Sequence, residues 1–176
     1  GYDSLLVFNL NTLSFSWGLY LSKNGSDWIG QRFDPLAKNG PPFSNHYHIN
    51  MVHVAETGVY FSGLHSRALL RLSSDMTISQ VCSLPEGVHN AQPFLDGIVF
   101  NDTKSDVVRF IDRAGASKVF KVPAYNEEDL QFHGVDSTQV ARQSFGRGLC
   151  VVNDQMIAAG SSPSTISLYD IHRGER

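Results

Sequence analysis

Apolar residues along this 176-residue chain fall in short runs broken by turn residues, and almost nowhere at the spacing of a helix face. Runs rich in Val, Ile, Leu and aromatic residues, bounded by Gly, Asn, Asp and Ser, predict β-strands joined by tight reversals. One kind of run recurs as Leu5–Asn9, Leu69–Ser73, Val107–Asp112 and Ile166–Asp170, each closing on a polar residue and each preceded by a serine, at Ser4, Ser66, Ser105 and Ser164. Upstream of three of these lies a strand, a turn and a second strand: Asn50–Phe61 reversing at Thr57-Gly58, Ala91–Phe100 at Asp96-Gly97, and Leu149–Ala159 at Asn153-Asp154. Asp-Gly between apolar runs signals a hairpin, because both central residues of a type I′ turn take positive φ. On that reading Gly97→Val costs stability, since a β-branched residue resists positive φ.

A hairpin followed by a third strand, repeated in order, is the mark of radial repetition of small antiparallel sheets, whereas a sandwich has no reason to repeat one module. The expected fold is all-β: about three to four β-propeller blades, each a four-stranded antiparallel sheet, with about thirteen strands in all. The chain is expected to be part of a larger propeller, or to have its exposed blade edges covered by a protein partner or the remaining blades. The expected divisions are a partial blade at 1–45, a blade at 46–87, a blade at 88–145 carrying a polar insertion at 126–142, and a partial blade at 146–176. Residues 28–46, rich in Gly and Pro, are expected to form a long loop.

Composition narrows the function classes. With a formal net charge of −3 and no run of Lys or Arg, the chain lacks the basic track that nucleic acid requires. No apolar stretch approaches the roughly 20 residues of a membrane span, and residues 1–20 lack the basic-then-apolar order of a signal peptide. The first residue is Gly1 rather than Met, which suggests a processed chain or a piece of something longer. Cys82 and Cys150 sit inside apolar runs, where free cysteine packs as a small hydrophobe, and the reading leans to a cytoplasmic protein. Gly-x-Ser-x-Gly, His-Glu-x-x-His, Cys-x-x-Cys and a phosphate-cradling glycine loop are all missing.

In a propeller the starts of the inner strands share one face with the loops that join second and third strands. This brings His46–Asn50, Val88–Asn90 and Gly146–Gly148 beside Ser62-Gly63, Asn101–Lys104 and Gly160–Ser162. The repeat makes His89 and Arg147 equivalent, with His48 close to the same place. Imidazole and amide oxygens at a channel mouth suit a divalent metal, transition metals through His and calcium through Asn, and His48, His89 and Asn50 are the candidate ligands. Arg147 is suited to a carboxylate or phosphate, with Asn90, Asn101, Asp102 and Ser161 as further ligand-binding candidates. The competing reading has the same His and Asn side chains hydrogen-bonding the backbone of the neighbouring blade. His53, within a strand, and His133, within the insertion, read as structural.

The segments His89–Asn101 and Arg147–Ser161 resemble a family of bacterial six-bladed propeller proteins of uncharacterised function. In it a histidine opens one inner strand, Arg-Gly-Leu opens the next, and Gly-x-Ser closes the hairpin. More loosely, residues 46–172 are similar to the lactonase and strictosidine-synthase-like superfamily, which implies a metal or substrate at the channel mouth. The resulting expectation is a ligand-binding or interaction scaffold that recognises a small anionic or glycan-like molecule. The alternative is a metal-dependent, lactonase-like hydrolase in which His48, His89 or His133 serves as ligand or general base.

Overall fold

The computed structural model describes residues 2–130 and 142–176; most of the insertion read at 126–142, with His133, lies outside the described residues. The described residues form fourteen strands and two single 3-10 turns in four antiparallel sheets, and no α-helix. The chain divides into two compact units, Gly1–Leu84 and Pro85–Arg176.

The first unit holds two sheets. Strands β1 (Ser4–Asn9), β2 (Ser14–Asn24) and β3 (Asp27–Phe33) pair in that order, and β4 (Ile49–Ala55), β5 (Gly58–Gly63), β6 (Ala68–Leu72) and β7 (Ile78–Ser83) form a four-stranded meander. Side chains two apart on a strand share a face. Leu19 and Leu21 of β2 therefore point the same way, into a cluster with Trp28, Phe61, Leu70, Leu72 and Ile78. Each such side chain, removed from water, stabilises the fold by about 1.5–3 kcal/mol. The loop expected from Trp28 begins later, because Asn24 pairs with Asp27 and carries β3 on to Phe33. The Gly25 left-handed turn (φ 60°) makes that reversal.

The second unit repeats the plan. Strands β8 (Val88–Phe94), β9 (Gly97–Asp102), β10 (Val107–Asp112) and β11 (Ser117–Lys121) form a four-stranded meander, and β12 (Gly146–Val151), β13 (Met156–Ser161) and β14 (Thr165–Asp170) a three-stranded one. Phe94, Val99, Val108, Phe110 and Phe120 from the first sheet meet Ile157, Ala159 and Tyr169 from the second. Consecutive up-and-down sheets of three or four strands are propeller blades, and the chain is all-β throughout its described residues.

Two expectations change on inspection. The hairpin between β8 and β9 turns at Leu95-Asp96, since Phe94 pairs with Gly97, and it is Leu95 that takes positive φ, at 53°. Gly97 is required for a different reason: a Cβ there would lie 2.1 Å from the Ile111 carbonyl oxygen. Gly58 opens β5 in the same way, 2.6 Å from the Leu72 carbonyl oxygen. Cys150 does not pack as a core residue: it is exposed on β12, Cys82 is half-buried on β7, and both are free thiols.

Candidate functional site

The first strand of three sheets carries a bulge near its start, between Ile49 and Met51, between His89 and Gln92, and between Gly146 and Leu149. A bulge re-aims side chains and is common beside functional sites. In the second unit Asn90 (φ 55°) and Gly148 (φ 78°) take left-handed conformations within these bulges.

Gly148 is clamped from the neighbouring sheet. Its N–H donates to Asn90 Oδ1 at 2.9 Å, and its carbonyl accepts from Asn101 Nδ2 at 3.0 Å. Asn101 is fully buried, and its Oδ1 has no hydrogen-bond partner. Thr103, in the 3-10 turn Thr103–Ser105, donates its hydroxyl to the Gly146 carbonyl at 2.8 Å, while His89 Nδ1 lies 3.0 Å from the Thr103 Oγ1 itself. A hydroxyl has one hydrogen, and Gly146 receives it, so His89 Nδ1 supplies the hydrogen in the second bond. In the neutral imidazole this puts the remaining lone pair on Nε2.

Phe145 organises the cations here. The Arg147 guanidinium lies 4.7 Å and that of Arg142 5.5 Å from its ring centroid, with the His89 ring edge-on at 5.7 Å. Arg142 is held by Asp106 at 2.5 Å and by the Thr103 carbonyl at 3.0 Å. Arg147 is exposed, and among the described residues no carboxylate pairs with it. Asp102 is buried and ion-paired to Arg109 at 3.0 Å, and half-buried Ser161 sits in the ladder opposite Gly146 and Thr165. The structure thus brings His89, Asn90, Asn101 and Arg147 together around the β8 and β12 starts, with Asn90 and Asn101 engaged on backbone.

In the first unit the start of β4 is built on a buried carboxylate. Asp3, with no exposed surface, accepts from Ser44 Oγ at 2.5 Å and from the backbone N–H groups of His46, Tyr47 and His48 at 2.7, 3.0 and 3.1 Å. Burial and the nearby Asp3 and Tyr20 charges push the Tyr47 phenol above its ordinary range. His48 is left-handed (φ 49°) and exposed, with Nδ1 3.2 Å from Asn45 Nδ2 and its ring 6.1 Å from that of His65. Asn50 is the extra residue of the β4 bulge, and His53 packs at 6.4 Å from Tyr60. His48 belongs to the first unit and His89 to the second. Among the described residues no group of three or more His, Cys, Asp or Glu side chains converges as metal ligands.

Asp3, His65, Arg142 and Phe145 escaped the reading of the sequence, and Thr103 entered it only as part of the Asn101–Lys104 loop. Asp3 and Thr103 act across more than 40 residues, which no local pattern reports. Phe145 lies just ahead of β12 and Arg147 falls in the Gly146–Leu149 bulge, so strand alternation does not report that the two side chains meet.

No protein-family model matches the chain, and no curated protein does. Its structure is similar to a catalytically inactive virginiamycin B lyase from Staphylococcus aureus with quinupristin (TM-score 0.45, 10% identity, 97% of this chain and 60% of that one). It is similar also to a selenomethionine-substituted virginiamycin B lyase from the same organism (0.44, 10%, 94% and 54%) and to a streptogramin B lyase (0.40, 12%, 97% and 54%). The chain spans between 54% and 60% of the length of these structures.

Proposed function

We propose that this chain is the ligand-binding part of a larger propeller, six-bladed as in the families it resembles, and that the β8–β12 mouth binds a small anionic or glycan-like molecule through Arg147. The supporting observation is an exposed guanidinium held over the Phe145 ring, with no carboxylate partner among the described residues. A guanidinium held over a ring face contacts it without using its N–H donors, which stay available to grip carboxylate or phosphate by two bonds. His89, fixed by Thr103 and Phe145, lines the same place. A cytoplasmic setting belongs to this reading, with the two free thiols suited to a reducing compartment. No helix among the described residues is long and apolar enough to cross a membrane.

Glucuronate, which is both anionic and glycan-like, and inorganic phosphate are the probes. Titration followed by amide NMR should perturb Phe145, Arg147 and Gly148. A hydrogen bond to a charged group is worth about 1.5–3 kcal/mol, so Arg147→Ala should weaken binding roughly 10- to 100-fold. Arg147→Lys keeps the charge but not the fork, and should fall between. Binding of either probe that is unchanged in Arg147→Ala overturns the proposal.

A further inference from the structure

Separate from the Arg147 mouth, the top of the first unit holds a second constellation that involves neither Phe145 nor His89. His48 and His65 are both exposed, and their rings stand 6.1 Å apart, nearly perpendicular at 78°. The segments that carry them are tied by backbone hydrogen bonds, Leu64 N–H to the His48 carbonyl at 3.0 Å and His65 N–H to the Tyr47 carbonyl at 3.1 Å. The His48 backbone is left-handed, a conformation that persists in a non-glycine residue only where the surroundings dictate it. Here they do: three N–H groups of 46–48 and the Ser44 hydroxyl all close on the buried Asp3 carboxylate. The two imidazoles are therefore presented by a loop whose geometry is set before any ligand arrives.

We propose that His48 and His65 form a binding site for a divalent transition-metal ion such as Zn²⁺, with water completing the coordination. Imidazole nitrogen suits zinc, copper and nickel, whereas calcium and magnesium prefer oxygen. With Zn–N distances of about 2.0–2.1 Å, two imidazoles on one tetrahedral ion place their centroids about 5 Å apart, so the rings close by about 1 Å, within the reach of side-chain rotation. Asn45 supplies the outer partner that ligating histidines require. Its amide faces His48 Nδ1 at 3.2 Å. Turned end for end, the amide oxygen accepts from Nδ1–H, and this tautomer directs the Nε2 lone pair outward to the metal. His46 stays outside the set, its Nδ1 lying 3.3 Å from Ser44 Oγ.

Isothermal titration of the 176-residue chain with ZnCl₂ tests the pair. One equivalent should bind, and His48→Asn and His65→Gln should each weaken it. His48→Asn keeps a residue that tolerates the left-handed backbone, so it removes the imidazole and spares the loop. Loss of an outer-shell partner alone costs roughly 10–100-fold in metal affinity, and loss of a direct ligand should cost about 100-fold or more. Zn²⁺ should raise the melting temperature of the parent chain and leave that of His65→Gln unchanged. Absence of binding to the parent chain at millimolar Zn²⁺ overturns the site, as does retention of parent affinity in either variant.

Discussion

Gly97→Ala isolates a close approach between strands. The added Cβ would sit 2.1 Å from the Ile111 carbonyl oxygen and 2.8 Å from the Asp112 Cα, both backbone atoms held by the β9–β10 ladder in which Gly97 pairs with Asp112. A flexible side chain can turn aside, but a ladder carbonyl cannot. Overpacking of this kind costs about 1–3 kcal/mol, and opening the ladder end forfeits about 1 kcal/mol per hydrogen bond. The total is about 2–5 kcal/mol. For a chain of this size each kcal/mol moves the melting temperature by about 2–4 °C, so a fall of about 4–20 °C is expected. Gly25→Ala is the control. Gly25 is left-handed (φ 60°) with nothing within 4 Å of a built Cβ, so only backbone strain of about 1–2 kcal/mol applies. Urea and thermal unfolding of both variants provide the comparison. A Gly97→Ala chain no less stable than Gly25→Ala would refute the close-approach account.

Asp3→Ala removes the acceptor of three part-buried N–H groups, and water reaching them holds the loss near the lower end of about 1–3 kcal/mol each. It should cost about 3–5 kcal/mol in denaturant unfolding and release the amides of residues 46–48 to hydrogen exchange; a loss under 1 kcal/mol would contradict the cage. The two thiols should separate under iodoacetamide at pH 7.5: Cys150 is exposed and should alkylate quickly, whereas burial pushes the Cys82 thiol up, partly offset by a backbone hydrogen bond from Leu69. A raised folded pKa gives stability that is whole below the unfolded value of about 8.5 and is lost as pH rises through the folded one. Cys82→Ala should therefore lose less stability between pH 8 and pH 10 than the parent chain, and equal losses would show that Cys82 is not responsible.

Short apolar runs bounded by turn residues determined the β-strands, because each run and its turns are satisfied by neighbours in sequence, and that demand is local. The repeated hairpin with its third strand was legible for the same reason, and so was the all-β, blade-built class. Turn position was less legible. Asp96-Gly97 reads as a type I′ centre, yet Leu95 takes the left-handed angle while Gly97 serves the contact with Ile111, a neighbour known only once β9 and β10 are paired. Tertiary structure alone decided what the polar residues do. Asn90 and Asn101 grip Gly148 across 58 and 47 residues, Thr103 sets the hydrogen on His89, and Phe145 holds Arg147 clear of any carboxylate among the described residues. Asp3 lies more than 40 positions from the loop it shapes and belongs to no pattern in the chain. A strand announces itself through its own residues, but a hydrogen bond or stacked pair exists only where folding brings distant partners within a few ångströms.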